Sequence, residues 1–532
     1  MRHDGGVSTD DRFAPPHLDA PHQAPPRHHV VVIGGGIAGL AAALRLRDAG
    51  PDGLAVTVVE QAGSVGGKLR TGRVAGVTIE DGAESFLVRA PEALALAERV
   101  GLGGELVNPT AGGATVWVDG RLRPLPSGTV LGVPADLEAT AASGILSEDG
   151  LALVRAEPGR PGTALGERDI AVGDLIGERL GAEVVDRLVE PLLGGVYAGR
   201  ASHLSLRATM PALALGLVDQ PSVVRAARAS RGTPAPATTP VAPIFATVRG
   251  GLSRLVSAVA HESRAAIRTG EPVRELRRTS DGWLLTLGSA RSDRPGGDAT
   301  TIRADAVVLA VPAKPASRLL TSISTGAAGA SALVGTLEYA SVGLVSLVLP
   351  GRLALPPGTG ALVPASAGRL IKAITYISQK WGHVLDGWDG EPVTVLRASV
   401  GRYGDEKALH LDDESLVAAV LEELRTLLPL PEGWPTPSGV RVNRWGGSLP
   451  QYAPGHLDRV AAARVALSGE PTLALAGAGY DGVGIPACIR SGQRAADQVL
   501  AALRETSDGR AIVPPPALGN QSDPMRGAPI HG

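Results

Sequence analysis

The stretch HHVVVIGGGIAGL at residues 28–40 decides the fold of this chain. His29 to Ile33 is short and rich in β-branched residues, which is typical of a buried strand. Three glycines interrupt the apolar run, and residues 37–48 then show helical spacing up to the stop signal Gly50. A second apolar strand pattern follows at 54–59. The segment therefore predicts a strand–helix–strand unit, which needs a parallel sheet covered on both faces.

The run Gly34-Gly35-Gly36-Ile37-Ala38-Gly39 satisfies the pattern GxGxxG directly after a strand and at the start of a helix. In that context backbone amides and the helix dipole can face a pyrophosphate. Glu60 ends the second strand 21 residues after Gly39, where a carboxylate can accept both hydroxyls of an adenosine ribose. The unit therefore predicts a dinucleotide site that disfavours a 2′-phosphate.

Composition narrows the class of protein. The chain has 532 residues, of which 44% are hydrophobic and 20% charged, so it can fold into two or three domains. A net charge of −2 provides no global field for a polyanion, and we expect no nucleic-acid partner. The single cysteine, Cys488, can form neither an internal disulfide nor a multi-thiolate metal site, which favours a reducing cytoplasm and no metal. No window approaches the roughly 20 apolar residues of a membrane-spanning helix.

Beyond the first unit, the periodicity changes along the chain. Residues 91–215 are mainly helical in pattern, and residues 230–240 have the composition of a linker. Strand patterns resume later in the chain, interspersed with two helical patterns. The predicted strands are 268–288, with a turn at Asp281-Gly282, 306–311, 344–349, 393–400 and 472–475, and the helices are 414–428 and 486–504.

The continuation Gly66-Gly67-Lys68-Leu69-Arg70-Thr71 resembles the GG doublet of the amine-oxidase-like flavoprotein superfamily, where it follows the ribose acid. Lys68 stands where that family often has Arg. The resemblance favours non-covalently bound FAD and places Cys488 near the flavin as a packing residue. It implies FAD-binding roles for Gly34, Gly35, Gly36, Ile37, Ala38, Gly39, Glu60, Gln61, Lys68, Gly82, Ala83, Glu84, Ser85, Val273, Trp445, Val483, Gly484 and Ile485. On spacing alone, Glu84 could equally be an ordinary solvated carboxylate.

Further segments narrow the family. They are PLLGGVYAG at 191–199, Arg444-Trp445, LPQY at 449–452 with Gly455-His456, and GVGIP at 482–486. Together they resemble the protoporphyrinogen/coproporphyrinogen oxidase family over residues 28–505. Arg200 departs from the family pattern, in which an acid commonly follows the GVYAG run. A composition rich in Arg over Lys points to the Gram-positive type, which acts on coproporphyrinogen III; protoporphyrinogen IX is the rival substrate.

The resemblance implies a six-electron oxidation of coproporphyrinogen III to coproporphyrin III. It proceeds in three two-electron flavin cycles, with oxygen as acceptor and three hydrogen peroxide released. We assign no catalytic side chain, because the sequence contains no identifiable paired-carboxylate, Ser/His/Asp or Cys/His constellation. For the substrate propionates we predict the cations Arg89, Arg249 and Lys372, and for the macrocycle edge Tyr197. Each could instead be an ordinary surface or core residue.

The resulting prediction is an α/β protein with a discontinuous Rossmann-like FAD-binding domain, a mixed-sheet substrate domain and a helical subdomain. The expected division is a disordered leader at 1–27, the FAD-binding domain at 28–90, 244–310 and 440–505, the helical subdomain at 91–227, a flexible loop at 228–243, the substrate-binding domain at 311–439 and a disordered tail at 506–532. An amine oxidase, a carotenoid desaturase or a flavoprotein that holds a tetrapyrrole without oxidising it are alternatives. Transient contact with a ferrochelatase and peripheral membrane contact are further possibilities that the sequence leaves open.

Overall fold

The computed structural model describes residues 28–162, 164–231, 243–288, 300–386, 388, 390–430 and 433–507. The predicted leader at 1–27 and nearly all of the predicted tail lie outside these residues, as does most of the loop at 228–243.

A five-stranded parallel sheet forms the centre of the predicted dinucleotide-binding region. Its strands run in the order Ala266–Thr269, Leu54–Glu60, His28–Ile33, Ala306–Leu309 and Leu473–Leu475. All neighbouring pairs are parallel. The strand–helix–strand prediction is confirmed, since helix Ile37–Ala49 connects strand His28–Ile33 to its parallel neighbour Leu54–Glu60.

Both faces of this sheet are covered, as a parallel sheet requires. On one face, Val30 and Val32 pack against Ala42 and Leu46 of the first helix and Val499 of the last helix, Ile485–Ser507. On the other face an antiparallel sheet of three strands packs with three further helices. The strands are Val273–Thr279, Gly282–Leu287 and Thr300–Ala304, and the helices are Ala313–Leu320, Thr325–Gly335 and His456–Ala466.

A seven-stranded mixed sheet forms a second layer. Its order is Gly439–Pro450, Tyr339–Pro350, Val393–Val400, Ile371–Tyr376, Gly360–Leu362, Thr115–Val118 and Arg121–Pro124. Leu396 and Ala398 point into a core shared with Leu416 and Val420 of helix Asp413–Leu427. Because side chains alternate along a strand, Arg397 lies on the opposite face of the sheet.

The mainly helical pattern predicted for residues 91–215 is wrong between residues 106 and 134, which contain strands Leu106–Val107, Thr115–Val118, Arg121–Pro124, Thr129–Val130 and Val133–Pro134. The physical reason is visible at Thr115–Val118, where partly exposed and buried residues alternate and the edge pairs with Gly360–Leu362. The helices of this region are Pro91–Arg99, Leu137–Ser143, Glu148–Ala156, Val172–Leu180, Ala182–Val184, Glu190–Tyr197, Leu206–Thr209, Pro211–Gly216 and Val223–Ser230. The division into domains remains a prediction, although strand Gly439–Pro450, assigned to the FAD-binding domain, pairs along Tyr339–Pro350.

Smaller elements connect the two large sheets. The hairpin Thr71–Val74 and Val77–Glu80 leads into a short three-stranded sheet of Phe86–Leu87, Phe245–Val248 and Leu106–Val107. Helix Ser253–Ser263 follows the middle strand of that sheet. Across the described ranges, the longest and most apolar helices still fall short of what a membrane-spanning segment needs.

Candidate functional site

The glycines of the loop at 34–39 differ in their surroundings: some are required by close backbone contacts, and one borders open space. A Cβ on Gly34, whose φ is +108°, would lie 2.4 Å from the Ala310 carbonyl oxygen, and one on Gly39 would lie 1.9 Å from the Gly34 carbonyl oxygen. A Cβ on Gly36 would meet no atom within 4 Å. Ile37 and Ala38 are buried in the first helical turn. The loop therefore leaves open space at a helix N-terminus, which suits a phosphate.

Glu60 lies at the side of this opening. The Gly35 N–H donates to its Oε2 at 2.7 Å, and the Ala62 N–H donates to its Oε1 at 2.8 Å. Each carboxylate oxygen retains a further acceptor position that a ribose hydroxyl could use. Gln61 is exposed next to it, and the Glu271 N–H donates to the Glu60 carbonyl at 3.1 Å, which brings the segment before Val273 alongside.

Lys68 joins three of the predicted FAD-binding segments. The Gly66 N–H donates to the Gly35 carbonyl at 2.7 Å, which ties the GG doublet to the glycine loop. The Ala83 N–H donates to the Lys68 carbonyl at 3.0 Å, and a Cβ on Gly82 would lie 2.1 Å from that same oxygen. The Lys68 ammonium donates to the Ser448 carbonyl at 2.6 Å, and burial lowers its pKa.

The turn before the last helix closes the site from the C-terminal side. Asp481 anchors this turn, because both of its carboxylate oxygens accept from Arg464 at 2.9 Å. Burial alone would raise the pKa of Asp481, but the neighbouring cations outweigh that effect and lower it. A Cβ on Gly477 would meet no atom within 4 Å. Gly484 is exposed, Ile485 is buried, and Val483 packs against the core of the helical region.

Cys488 lies in the first turn of the last helix, where its N–H donates to the Gly484 carbonyl at 3.0 Å. Burial raises the pKa of its thiol to about 11. The thiol is therefore protonated and unreactive at neutral pH, in agreement with a packing residue.

The Glu84 side chain is only 10% exposed and is paired with two cations, so its reading as a solvated carboxylate is wrong. Its two oxygens bond to Lys380 and Arg397, and the Trp381 indole N–H lies 3.4 Å from one of them. Burial opposes ionisation, but the charges of Arg397 and Lys380 lower the pKa of Glu84 to about 2. Ser85 follows it, partly buried. Sequence reasoning missed both cations, which lie about 300 residues further along the chain.

Trp445 also contacts this loop. Its indole N–H donates to the Asp81 carbonyl at 2.8 Å. The fully buried Asp81 carboxylate accepts from Arg441 at 2.7 Å and from Asn443 at 3.0 Å. The position of Trp445 thus depends on a buried acid that the motifs did not indicate.

The predicted substrate contacts share no polar partner within the described ranges. Arg89 is exposed, and Arg249, 48% exposed, pairs with Asp386. Lys372 is only 6% exposed and meets no carboxylate among the described residues; burial and the nearby Arg402 lower its pKa to about 7. Tyr197 is buried with its ring edge toward Tyr452, at a centroid distance of 5.6 Å.

These residues fit a flavin dinucleotide. Open space lies over Gly36 and Gly477, and the loops that carry them meet near Lys68, where Ile37, Ala83 and Ile485 pack in one core cluster. Two buried oxygens near this junction, Ser448 Oγ and Gln451 Oε1, have no hydrogen-bond partner in the described part of the chain. Such orphaned polar atoms are rare in proteins and suit a polar ligand.

Comparison with known proteins identifies the family of this chain. Residues 37–500 match the family described as flavin containing amine oxidoreductase. A coproporphyrinogen III oxidase from Mycobacterium bovis is 38% identical over 472 residues, covering 89% of this chain and 97% of that protein. One from Bacillus subtilis is 32% identical over 483 residues, covering 89% and 98% respectively.

Among solved structures, a provisionally named protoporphyrinogen oxidase from Exiguobacterium has a TM-score of 0.77 and 31% identity, covering 90% of this chain and all of that one. Cyclohexylamine oxidase from Brevibacterium oxydans, at 18% identity and a TM-score of 0.60 over 90% of this chain and all of that one, shares the fold. The chain therefore belongs to the flavin containing amine oxidoreductase family and, within it, to the protoporphyrinogen/coproporphyrinogen oxidase group.

Proposed function

We propose that this protein is an FAD-dependent oxidase that converts coproporphyrinogen III to coproporphyrin III in haem biosynthesis, with oxygen as the electron acceptor. The observation that carries the proposal is that the glycine loop, the segment around Lys68 and the turn at 477–485 pack together, with Ile37, Leu69 and Ile485 in one core cluster. Relatives that match over nearly the whole chain are named for this substrate.

A porphyrinogen gains conjugation by losing a hydride from an sp³ meso carbon and a proton from a pyrrole nitrogen. A bound flavin would supply the acceptor for that hydride. The helix N-terminus at Gly36 would hold the pyrophosphate and Glu60 the ribose, while Lys68, Gly82 and Trp445 would border the rest of the cofactor. The chain's contribution is therefore to position the macrocycle so that its meso carbon faces the bound cofactor.

Among the predicted cations, Lys372 is the best candidate for a substrate propionate. A buried ammonium without a carboxylate partner is unfavourable, and a propionate would relieve this cost by a charge-assisted hydrogen bond. Arg249 is less suitable because Asp386 already pairs with it. Arg89, which is exposed just after strand Phe86–Leu87, remains a candidate for a propionate, and Tyr197 remains one for the macrocycle edge.

We assign no side chain as general base. Burial raises the pKa of Tyr197 to about 12 and that of Cys488 to about 11, so neither accepts a proton at neutral pH. Protons leave through the substrate nitrogens or solvent. The inert thiol also supports non-covalent FAD, which acid precipitation tests directly: the flavin should appear in the supernatant, and flavin retained in the pellet would contradict this.

The decisive experiment compares coproporphyrinogen III with protoporphyrinogen IX. Purified protein receives each compound without oxygen, and flavin bleaching is followed; air is then admitted and porphyrin fluorescence and hydrogen peroxide are recorded. Faster turnover of coproporphyrinogen III supports the proposal. Preference for protoporphyrinogen IX would move the protein to the later step, the activity for which the Exiguobacterium relative is named. Bound flavin that neither compound reduces would leave a non-catalytic tetrapyrrole-binding protein or another amine-oxidase-like enzyme.

The cellular setting is part of the same proposal. We place the protein in the cytoplasm, where its single buried cysteine stays reduced. Transient contact with a ferrochelatase would deliver the porphyrin product, and peripheral contact with a membrane is a second association. Co-sedimentation of the purified protein with ferrochelatase and with anionic vesicles tests each separately.

A further inference from the structure

The cluster around Glu84 contains more positive charge than negative. The Glu84 side chain is 10% exposed, Lys380 14% and Arg397 11%, so one carboxylate faces two cations out of bulk solvent. The next acid, Glu80, pairs with neither cation: its two carboxylate oxygens accept from the Leu252 N–H at 2.6 Å and from the Thr71 hydroxyl at 3.1 Å. Burial also raises its pKa to about 7, so it carries only part of a negative charge near neutral pH. Buried charge is unfavourable unless it is paired. The excess therefore indicates that a further negative group belongs beside this cluster.

Arg397 also donates hydrogen bonds to the backbone of the loop. Its Nη1 donates to the Gly82 carbonyl at 3.2 Å and to the Glu80 carbonyl at 3.3 Å, while its Nη2 pairs with Glu84. The guanidinium thus spans the loop from residue 80 to residue 84. The same loop rests on the Lys68 carbonyl through Gly82 and Ala83.

Both cations lie on or directly beside the seven-stranded sheet. Arg397 lies in the middle of strand Val393–Val400, which pairs with a neighbour on each side. Lys380 ends the short helix Ile377–Lys380, and its ammonium lies 5.1 Å from the ring centroid of Trp381. The seven-stranded sheet therefore sets the position of the loop that carries the predicted FAD contacts Gly82 to Ser85.

A second buried ion pair shows what a purely structural cluster looks like in this chain. Glu157 accepts from Arg179 at 2.9 Å, from the Ser222 hydroxyl at 2.7 Å and from the Val223 N–H at 2.8 Å. One acid meets one cation there, and the remaining acceptor capacity is filled by neutral donors. The Glu84 cluster differs by its uncompensated charge.

We propose that Arg397 and Lys380 are positioning residues for the flavin: they hold the Gly82–Ser85 loop against it and favour its reduced, negatively charged form. This inference rests on the proposed FAD binding. The expected partner of the excess charge is the ring system, which gains negative charge on two-electron reduction. The effect needs no titratable group in contact with the substrate.

The test measures the midpoint potential of the holoenzyme flavin against a reference dye without oxygen. Lys380→Met and Arg397→Met should lower it, shifting the equilibrium toward oxidised flavin at least tenfold, which is about 30 mV for two electrons. Glu84→Gln should raise it, because it leaves both cations and removes the anion. Arg397→Lys keeps the charge, so its potential should stay near that of the wild type while FAD dissociates more readily. Arg179→Met is the matched control and should leave the potential unchanged.

Unchanged potentials in Lys380→Met and Glu84→Gln would overturn the proposal and make the cluster a structural lock. If Arg397→Met binds no FAD, the melting temperature of its apoprotein distinguishes a misplaced loop from a general loss of structure. An apoprotein as stable as wild-type apoprotein supports a misplaced loop, and a collapsed one refutes positioning. Wild-type protein that binds no FAD would instead refute the proposed function.

Discussion

Gly36→Ala should weaken FAD binding while leaving the stability of the apoprotein nearly unchanged. Gly36 has φ −71° and ψ 174°, which alanine adopts without strain, and a Cβ there meets no protein atom within 4 Å. The stability of the apoprotein should therefore change by less than about 0.5 kcal/mol. The added methyl occupies the space left for the pyrophosphate, so at least one charge-assisted hydrogen bond of about 1.5–3 kcal/mol is lost. FAD should bind roughly 10- to 150-fold more weakly.

The assay for Gly36→Ala is fluorescence titration of apoprotein with FAD, joined by thermal unfolding at a fixed FAD concentration. A tenfold weaker dissociation constant removes about 1.4 kcal/mol of ligand stabilisation. Gly104→Ala is the control, because a Cβ on Gly104 also enters open space, far along the chain from the glycine loop. Equal FAD affinity in Gly36→Ala and Gly104→Ala would refute a pyrophosphate at this helix N-terminus.

Three further predictions address stability, pH and substrate binding. Arg179→Met leaves the buried Glu157 without its cation and should lower the free energy of unfolding by roughly 3–5 kcal/mol in urea titrations, with unchanged FAD affinity. Burial raises the pKa of Glu80 to about 7, so the folded state holds a proton that the unfolded state releases above about pH 4.5. Wild-type stability should therefore fall relative to Glu80→Gln between pH 5 and 7.5, by on the order of 3 kcal/mol, and parallel curves would contradict the shift. Lys372→Met should raise the KM for coproporphyrinogen III about tenfold with little change in kcat, while the exposed Lys314→Met should not.

Local pattern determined the first βαβ unit. Strand His28–Ile33, helix Ile37–Ala49 and strand Leu54–Glu60 begin and end within one residue of the prediction. Their signals are periodicity, a glycine turn and a terminal acid, all carried by neighbouring residues. The same holds for strand Val393–Val400 and helix Asp413–Leu427.

The first strand–helix–strand unit, the dinucleotide motif and the family could be predicted from the sequence, because each is recorded in short motifs of neighbouring residues. Only the tertiary structure decided that Thr115–Val118 is a strand, since its partner Gly360–Leu362 lies far along the chain. It also decided that Glu84 is a nearly buried, doubly paired carboxylate, because its partners Lys380 and Arg397 lie about 300 residues further along the chain. Burial and charge pairing depend on distance in space, and periodicity along the chain does not record that distance.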